Sequence, residues 1–323
     1  MKLDVICVAG PTATGKTALA VALAKTFGGQ VISADSMQVY KGMDIGTAKP
    51  DMNERGGIAH HMMDIITPDT EFSAALFKER ALQCIEQVQA QDNVPILAGG
   101  TGHYIQQILN QSTLPPVPPN PQLRERMYTL AQSEEGKREL HERLAKIDPE
   151  SAKKIHQNDV KRVARAIEVY ETAKKPLSQI NREGRDALQT GENSVIIGLN
   201  YQNRQTLYDK INARVDVMLQ NGLEAEARAV YQTNLSKTAA QAIGYKELFA
   251  YFDDRITKEQ AVEQIKQESR RYAKRQLTWF GANKNIFWIY VDEHSPGEIV
   301  QISTNYLTTK GYNCLGRAEP GDD

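Results

Sequence analysis

Cysteine is scarce in this chain, and long apolar runs are missing from it. The three cysteines, Cys7, Cys84 and Cys314, are far apart and include no C-x-x-C pair, which argues against a zinc ribbon, a disulfide framework and a redox motif. No apolar run approaches the roughly 20 residues that span a bilayer, and the N-terminus lacks the pattern of a secretory leader. These absences predict a protein of the cytoplasm without a membrane segment.

The chain also lacks an excess of charge of one sign, because its formal net charge is −1. A uniformly basic nucleic-acid binder is therefore not expected. The average conceals two basic segments, since residues 151–185 carry nine Lys and Arg against four Asp and Glu, and residues 266–284 carry six against one. Two basic segments on a neutral chain predict a shaped site for a polyanion.

The most informative motif is Gly10-Pro11-Thr12-Ala13-Thr14-Gly15-Lys16-Thr17, which fits the pattern G-x-x-x-x-G-K-[ST]. The apolar run 3–9 before it predicts a buried strand, and residues 18–24 after it predict a helix. This order aims backbone N–H groups and the positive end of the helix dipole at one point. Lys16 adds a positive charge there, and the Thr17 hydroxyl can ligate Mg²⁺. We therefore predict a site for a diphosphate or a longer phosphate chain.

Strand and helix patterns alternate through residues 1–113. Further strands are predicted at 30–34 and 94–98, and helices at 72–90 and from 104 onward. Such alternation predicts an α/β fold with a P-loop NTPase-like parallel sheet flanked by helices. Ligands of these sheets bind beyond the carboxyl ends of the strands. Residues 10–17, Asp35-Ser36 and 99–101 are all expected at that edge, so they can converge on one pocket.

A proline-rich segment interrupts the alternation, because five of the 13 prolines lie within residues 115–121. This composition is typical of a stiff linker. Beyond it the pattern is charged and helical, until a strand-like run returns at 194–199. We therefore expect a core in two parts, residues 1–113 and 194–316. We expect an all-helical insertion domain at 114–193 and a disordered tail at 317–323. In the second part of the core we expect helices at about 205–220, 223–233, 239–252 and 258–279, and a strand at 286–291.

The residues alone leave the chemistry of the pocket open. A P-loop nucleotide hydrolase usually carries an Asp after a second apolar strand, whereas the strand at 94–98 ends in glycines and Thr101. Asp35 ends a strand and could act as a general base, or it could merely cap a turn or a helix. His60-His61 suggests a metal site at first sight, but adjacent residues of an extended segment point to opposite faces. We therefore favour a structural role for the two histidines.

Eight segments, which follow one another over nearly the whole chain, resemble the tRNA dimethylallyltransferase (tRNA isopentenyltransferase) family. They are the phosphate loop 10–17, Ala34-Asp35-Ser36-Met37-Gln38-Val39-Tyr40, Lys41-Gly42-Met43-Asp44-Ile45-Gly46-Thr47-Ala48-Lys49-Pro50, His60-His61-Met62-Met63-Asp64, Gly99-Gly100-Thr101-Gly102-His103-Tyr104, Arg214-Val215-Asp216, Ala242-Ile243-Gly244-Tyr245-Lys246 and Lys274-Arg275-Gln276-Leu277-Thr278-Trp279-Phe280. Without the Cys/His pairs of the longer eukaryotic members, the chain is similar to the short bacterial form.

The resemblance implies transfer of the dimethylallyl group of dimethylallyl diphosphate to N6 of adenosine 37 of tRNA, with release of diphosphate. It implies that the phosphate loop, Mg²⁺ on Thr17 and the Arg214 cation stabilise the diphosphate. It also implies that Asp35 takes the proton of the attacking amine and that Thr101 hydrogen-bonds near the same adenine. Asp44 and Asp64 are the next candidates for the base.

The anticodon stem-loop of tRNA is the expected partner, and we expect the enzyme to be a monomer. Its target adenine must leave the stack of the anticodon loop to reach the pocket. Lys161, Arg162 and Arg165 share one side of a predicted helix, and a basic face beside Trp279 suits single-stranded RNA. The expected contacts are Asp35, Ser36, Met37, Gln38, Thr101, Asp159, Val160, Lys161, Arg162, Val163, Gln241, Ala242, Ile243, Gly244, Tyr245, Lys246, Lys274, Arg275, Gln276 and Trp279.

Three other functions stay open at this point. A P-loop small-molecule or nucleotide kinase would place ATP in the loop, and a related prenyltransferase would modify free adenosine phosphates. The long basic helical insertion favours neither. A nucleotide-switch RNA-binding protein would usually carry a base-reading motif, and none is found.

Overall fold

The structure is a computed structural model that describes residues 4–109, 117, 120–186 and 194–315. The chain divides into two compact units, one within residues 1–109 and 191–323 and the other within residues 110–190. Most of the proline-rich segment at 115–121 and the tail at 317–323 lie outside the described residues.

A parallel sheet forms the centre of the first unit. Among the described residues it has six strands in the order β3-β2-β4-β1-β5-β6, and every neighbouring pair is parallel. The strands are β1 (Ile6–Ala9), β2 (Gly29–Ser33), β3 (His60–His61), β4 (Val94–Gly99), β5 (Val195–Asn200) and β6 (Ile286–Tyr290). The predicted parallel α/β sheet is confirmed.

The register of the central strands brings the motifs to one edge. Ala9 of β1 pairs with Gly99 of β4, and Ser33 of β2 pairs with Ala98, so the three strands end level. Gly10, the first residue of the phosphate loop, passes against β5, where a Cβ atom would lie 2.3 Å from the carbonyl oxygen of Leu199. Its φ of 142° is also one that only glycine adopts without strain. The loop therefore requires glycine where it leaves the sheet.

Helices cover both faces of the sheet, and the side chains of β1 and of the residue before it alternate between two apolar clusters. Val5, Cys7 and Ala9 belong to one cluster, and Ile6 and Val8 belong to the other. The helices of this unit are α1 (Lys16–Phe27), α2 (Met52–Arg55), α3 (Ala74–Gln89), α4 (Gly102–Leu109), α10 (Arg204–Gln220), α11 (Leu223–Tyr231), α12 (Tyr245–Phe252), α13 (Lys258–Gly281) and α14 (Pro296–Thr309). Burial raises the pKa of the Cys7 thiol, in keeping with a small apolar residue of the core.

The described part of the second unit is helical. Its helices are α5 (Pro121–Leu130), α6 (Glu134–Ile147), α7 (Pro149–Lys154), α8 (Val160–Ala173) and α9 (Leu177–Asp186). Met127, Leu144 and Ile167 lie in its apolar core. Glu168 is fully buried there, where its carboxylate accepts hydrogen bonds from the guanidinium groups of Arg124 and Arg165. The buried charge is thus paired, as it must be to avoid a large desolvation cost.

Two local features differ from the sequence prediction. β3 was not expected, because two residues are too few to show an alternating pattern. The helix predicted over 239–252 is a 3₁₀ turn at Ala239–Gln241 followed by α12, since Gly244 adopts a φ of 98° and interrupts it.

Candidate active site

A large cavity opens at the carboxyl edge of the sheet, with a volume of about 1140 Å³. All of its walls belong to the first unit. They are formed by residues of the phosphate loop, of the turn after β2, of the loop 44–50, of the end of β4 and of helices α10 and α13. The three motifs expected at this edge therefore converge on one pocket, together with Arg214 from the distant α10.

The phosphate loop is wound as an anion-binding turn. Ala13 and Gly15 have positive φ angles, and α1 begins at Lys16. The Thr14 hydroxyl and the Lys16 ammonium both donate to the carbonyl oxygen of Pro11, at 2.9 and 2.5 Å. This geometry presents free N–H groups of the first turn of α1 to the cavity.

Two cations stand at this turn, and within the described ranges neither forms an ion pair. Burial and then the Arg214 guanidinium lower the pKa of Lys16 to about 7, while Asp35 opposes that shift. Burial also lowers the pKa of Arg214, against the effects of Asp35 and Glu54. The Arg214 guanidinium donates to the Thr12 hydroxyl at 3.1 Å, which aims it at the phosphate loop. Two desolvated cations at one turn form a site suited to a multiply charged anion.

Asp35 lies in a tight turn beside Thr101. Its carboxylate accepts a hydrogen bond from the Met37 amide at 2.8 Å, and the Thr101 hydroxyl accepts one from the Ser36 amide at 3.2 Å. No ion pair involves Asp35 among the described residues. The carboxylate is therefore held in place with acceptor capacity left for a ligand.

The other candidate bases are placed differently. Asp44 and Asp64 both form ion pairs with the Lys49 ammonium, at 2.6 and 2.5 Å. The side chain of Lys49 is only 3% exposed, and it also donates to the carbonyl oxygen of Tyr40. This cation pairs with both carboxylates, so neither is as free as Asp35 to accept a proton.

Tyr272 of α13 was not expected from the sequence, yet it lines the cavity. Burial and the nearby Asp35 carboxylate raise its pKa to about 12, while the Thr101 hydroxyl works in the opposite direction. Its ring lies under the Arg275 guanidinium at 5.6 Å. The helical period of α13 marks Tyr272 only as one more half-buried residue, so the sequence carries no signal for its place beside Asp35.

Gln276 belongs to the framework of the site. It is 5% exposed, its amide oxygen accepts from the Thr12 N–H at 3.0 Å, and its amide nitrogen donates to the Gly100 carbonyl at 2.9 Å. The residue was expected at the RNA surface. Its amide bridges the phosphate loop and the end of β4, and the residue also lines the cavity, so its RNA contact stays a prediction.

The side-chain amide of Gln38 also links two segments of the site, the end of β2 and the loop 44–50. Its amide oxygen accepts from the Ser33 hydroxyl at 2.8 Å, and its amide nitrogen donates to the carbonyl oxygens of Thr47 and Ala48. Ser36 and Met37, its neighbours in the turn, line the cavity.

The residues expected from 241–246 divide into two groups. Cavity-lining residues are Gln241, Ala242, Ile243, Gly244 and Lys246. Tyr245 is fully buried, and its hydroxyl donates to Glu226 at 2.5 Å. The side chain of Tyr245 supports the segment from below, and the RNA contact expected at this position stays a prediction.

Two surfaces offer exposed basic or aromatic side chains. In the first unit, Lys274 and Arg275 are exposed, and Trp279 is 39% exposed with its ring edge-on to His103 at 6.0 Å. In the second unit, Lys161 and Arg162 are exposed at the start of α8.

The other residues expected on α8 have structural partners or are largely covered. Asp159 caps the helix by accepting from the Arg162 amide, and Val160 packs against the apolar core. The side chain of Val163 is buried, and the RNA contact expected at this position stays a prediction. Arg165 pairs with Glu168 at 2.5 Å, so the basic face that remains is Lys161 with Arg162.

The histidine pair has ordinary partners. His60 Nδ1 bonds to the Ile58 carbonyl at 2.9 Å, and His61 Nε2 bonds to the Gln30 side chain at 2.7 Å. Within the described ranges, no group of three or more His, Cys, Asp or Glu side chains could hold a metal ion. Of the helices the structure describes, none has the length and apolar character needed to cross a membrane.

Known proteins match this chain over most of its length. The family model described as IPP transferase matches residues 38–284. The tRNA dimethylallyltransferase of Caldanaerobacter subterraneus is 45% identical over 300 residues, which are 92% of this chain and 95% of that one. The tRNA dimethylallyltransferase of Bacillus subtilis is 46% identical over 288 residues, which are 89% of this chain and 90% of that one.

Solved structures agree with these relatives. The tRNA isopentenylpyrophosphate transferase of Bacillus halodurans superimposes with a TM-score of 0.71 at 39% identity, covering 96% of this chain and 97% of the other. A eukaryotic dimethylallyltransferase acting on tRNA superimposes with a TM-score of 0.78 at 28% identity. The match covers 94% of this chain and 79% of the other. The chain therefore belongs to the IPP transferase family.

Proposed function

We propose that this protein is a tRNA dimethylallyltransferase, which transfers the dimethylallyl group of dimethylallyl diphosphate to N6 of adenosine 37 in the anticodon loop. The observation that carries the proposal is one cavity that combines a phosphate turn, two desolvated cations and a free carboxylate. Family membership supports the same reaction class. Because its acceptor is tRNA, we also propose a place in the cytoplasm.

The reaction breaks the C–O bond between the dimethylallyl carbon and the diphosphate, and it forms a C–N bond to N6. Negative charge grows on the departing diphosphate, where Lys16, Arg214 and the N–H groups of the phosphate turn would stabilise it. The proton that N6 loses passes to the Asp35 carboxylate. An exocyclic amine is a poor nucleophile, so alignment of the two substrates supplies much of the rate.

The site fits Mg²⁺ as an additional group. Thr17 lines the cavity, and its hydroxyl has no hydrogen-bond partner among the described residues. Mg²⁺ prefers oxygen ligands and commonly binds through few protein groups together with substrate phosphates. A bound Mg²⁺ would supply further charge neutralisation on the diphosphate.

RNA binding is assigned to exposed basic side chains in each unit. Lys161 and Arg162 in the second unit, and Lys274 and Arg275 in the first, can contact phosphates of the anticodon stem-loop. Trp279 offers an exposed ring for stacking with an unpaired base.

A kinase is not favoured. β4 ends in Gly99-Gly100-Thr101 and no acid follows it, and the curated relatives are named tRNA dimethylallyltransferase.

The test is to incubate the protein with Mg²⁺, labelled dimethylallyl diphosphate and unmodified tRNA, and then to analyse the nucleosides. We expect labelled N6-dimethylallyl adenosine, and no product from tRNA that carries guanosine in place of the target adenosine. ATP-dependent phosphorylation of a small molecule without any prenylated nucleoside would refute the proposal.

A further inference from the structure

One side chain fixes the loop 44–48, which forms a wall of the cavity. The carboxylate of Glu226 on α11 accepts hydrogen bonds from three consecutive backbone amides, those of Asp44, Ile45 and Gly46, at 2.8, 2.9 and 3.0 Å. Consecutive N–H groups that point into one concavity form an anion-binding nest. In this protein the anion in the nest is the protein's own carboxylate.

A fourth donor completes the arrangement. The hydroxyl of Tyr245 donates to the same Glu226 oxygen as the Gly46 amide, at 2.5 Å. The loop lies directly on the tyrosine ring, because a Cβ atom on Gly46 would come within 2.4 Å of a ring carbon. Glu226 therefore joins the loop 44–48 to the start of α12, two segments about 200 residues apart in the chain.

The same loop is tied to the turn that carries Asp35. The Gln38 amide nitrogen donates to the carbonyl oxygens of Thr47 and Ala48, at 3.3 and 3.2 Å. Gln38 follows closely after Asp35, whose carboxylate bonds to the Met37 amide. A displacement of the loop would therefore pass through Gln38 to the Asp35 turn.

We propose that Glu226 is a positioning residue for the transfer reaction: it holds the loop 44–48 in place and, through Gln38, keeps the Asp35 carboxylate aligned for the incoming amine. The proposal rests on the proposed function. A carboxylate has acceptor sites for all four donors. A glutamine at this position has only one oxygen. Its NH₂ group would face either the Asp44 and Ile45 amides or the Gly46 amide and the Tyr245 hydroxyl, so that donors would oppose donors.

The variant that tests this role is Glu226→Gln, with Glu224→Gln as its matched control. Glu224 lies one half-turn earlier on α11, and its carboxylate pairs with Lys258 and Arg228 at 2.6 and 3.5 Å away from the loop. Both changes remove one negative charge from the same helix. Only Glu226→Gln disturbs the nest.

In steady-state transfer to an anticodon stem-loop, we expect kcat of Glu226→Gln to fall by about 10²-fold, the effect of a misplacement of roughly 1 Å. The KM for dimethylallyl diphosphate should stay within about threefold, because the phosphate loop does not contact Glu226. Glu224→Gln should match the wild type in both constants. A loss of kcat in Glu226→Gln no larger than in Glu224→Gln, or an equal loss of donor affinity, would overturn the proposal.

A second readout does not depend on activity. Hydrogen exchange of the amides of residues 44–46 should be about 10-fold faster or more in Glu226→Gln, since each amide loses a charged acceptor. It should be unchanged in Glu224→Gln. If the wild type fails to modify tRNA, the proposed function fails, whereas unchanged exchange in Glu226→Gln overturns the positioning role.

Tyr245→Phe provides a milder variant if Glu226→Gln fails to fold, as a thermal melt would reveal. It removes one of the four donors and leaves the three amide bonds. We expect a fall in kcat of about fivefold, the value of one ordinary hydrogen bond, with the donor KM unchanged. Wild-type kcat in Tyr245→Phe, in that case, would overturn the proposal.

Discussion

Replacing Asp35 by asparagine tests the assignment of the general base with little change in shape. The asparagine keeps the oxygen that accepts from the Met37 amide at 2.8 Å, so the turn can retain its hydrogen bond. It loses only the negative charge and the ability to accept the proton of the attacking amine. Since asparagine caps turns and helices about as well as aspartate, we expect the melting temperature to change little.

The size of the expected effect follows from the two roles of the carboxylate. Loss of a general base costs about 10²- to 10⁴-fold in rate, which equals roughly 3–5 kcal/mol of transition-state stabilisation. Asp35 also favours the charged forms of Lys16 and Arg214. Without it the pKa of Lys16 should fall further, and saturating substrate therefore isolates the effect on the rate of transfer.

The assay is single-turnover transfer of labelled dimethylallyl groups to an anticodon stem-loop at saturating substrate. Asp51→Asn is the control, because Asp51 also lines the cavity and caps α2 by accepting from the Glu54 amide at 2.8 Å. We expect the Asp51 variant to retain the wild-type rate. If Asp35→Asn reacts within about threefold of the wild type, the base assignment is wrong, and Asp44 and Asp64 become the candidates despite their pairing with Lys49.

Four further predictions concern the phosphate turn, the RNA surface and the framework. In the free protein, burial holds the pKa of Lys16 at about 7, and a bound diphosphate raises that pKa. Binding at pH 8 should therefore take up a proton, and the affinity for the diphosphate should fall as the pH rises above 7. Calorimetry in buffers of different ionisation enthalpy measures the proton uptake, and its absence would contradict the prediction. Lys161→Ala with Arg162→Ala should weaken tRNA binding and lower the log–log salt slope by roughly 0.7–0.9 for each phosphate that the protein no longer neutralises; an unchanged slope would mean an ordinary solvated face. Gln276→Leu should destabilise the fold by about 2–4 kcal/mol in denaturant titration, since the buried Gly100 carbonyl and the part-buried Thr12 amide lose their partner. A wild-type midpoint would contradict the bridging role. Multiple-turnover ATP hydrolysis should be absent in a phosphate-release assay with or without tRNA, and robust release that depends on an added metabolite would favour a kinase.

The central elements of the fold could be predicted because their signals are local. The run before the phosphate loop is apolar and short, the loop is rich in glycine, and α1 follows at once, so residues 6–27 form as expected. Parallel topology then brings Asp35 and Thr101 to the same edge, since strands β2 and β4 are neighbours. Motifs at strand ends can be combined from sequence in this way whenever the strands are parallel.

The sequence by itself determined the phosphate turn, the parallel sheet and the family, because each depends on residues that are neighbours in the chain. Only the tertiary structure decided the roles of Tyr272, Gln276 and Glu226. The amide groups that Glu226 binds are about 180 residues away, and Gln276 bonds to Thr12 across 264 residues. A buried polar residue on an amphipathic helix looks the same in sequence whether it bonds to a catalytic loop or to an ordinary one. Its partner is chosen by the packing of helices against the sheet, which no local pattern records.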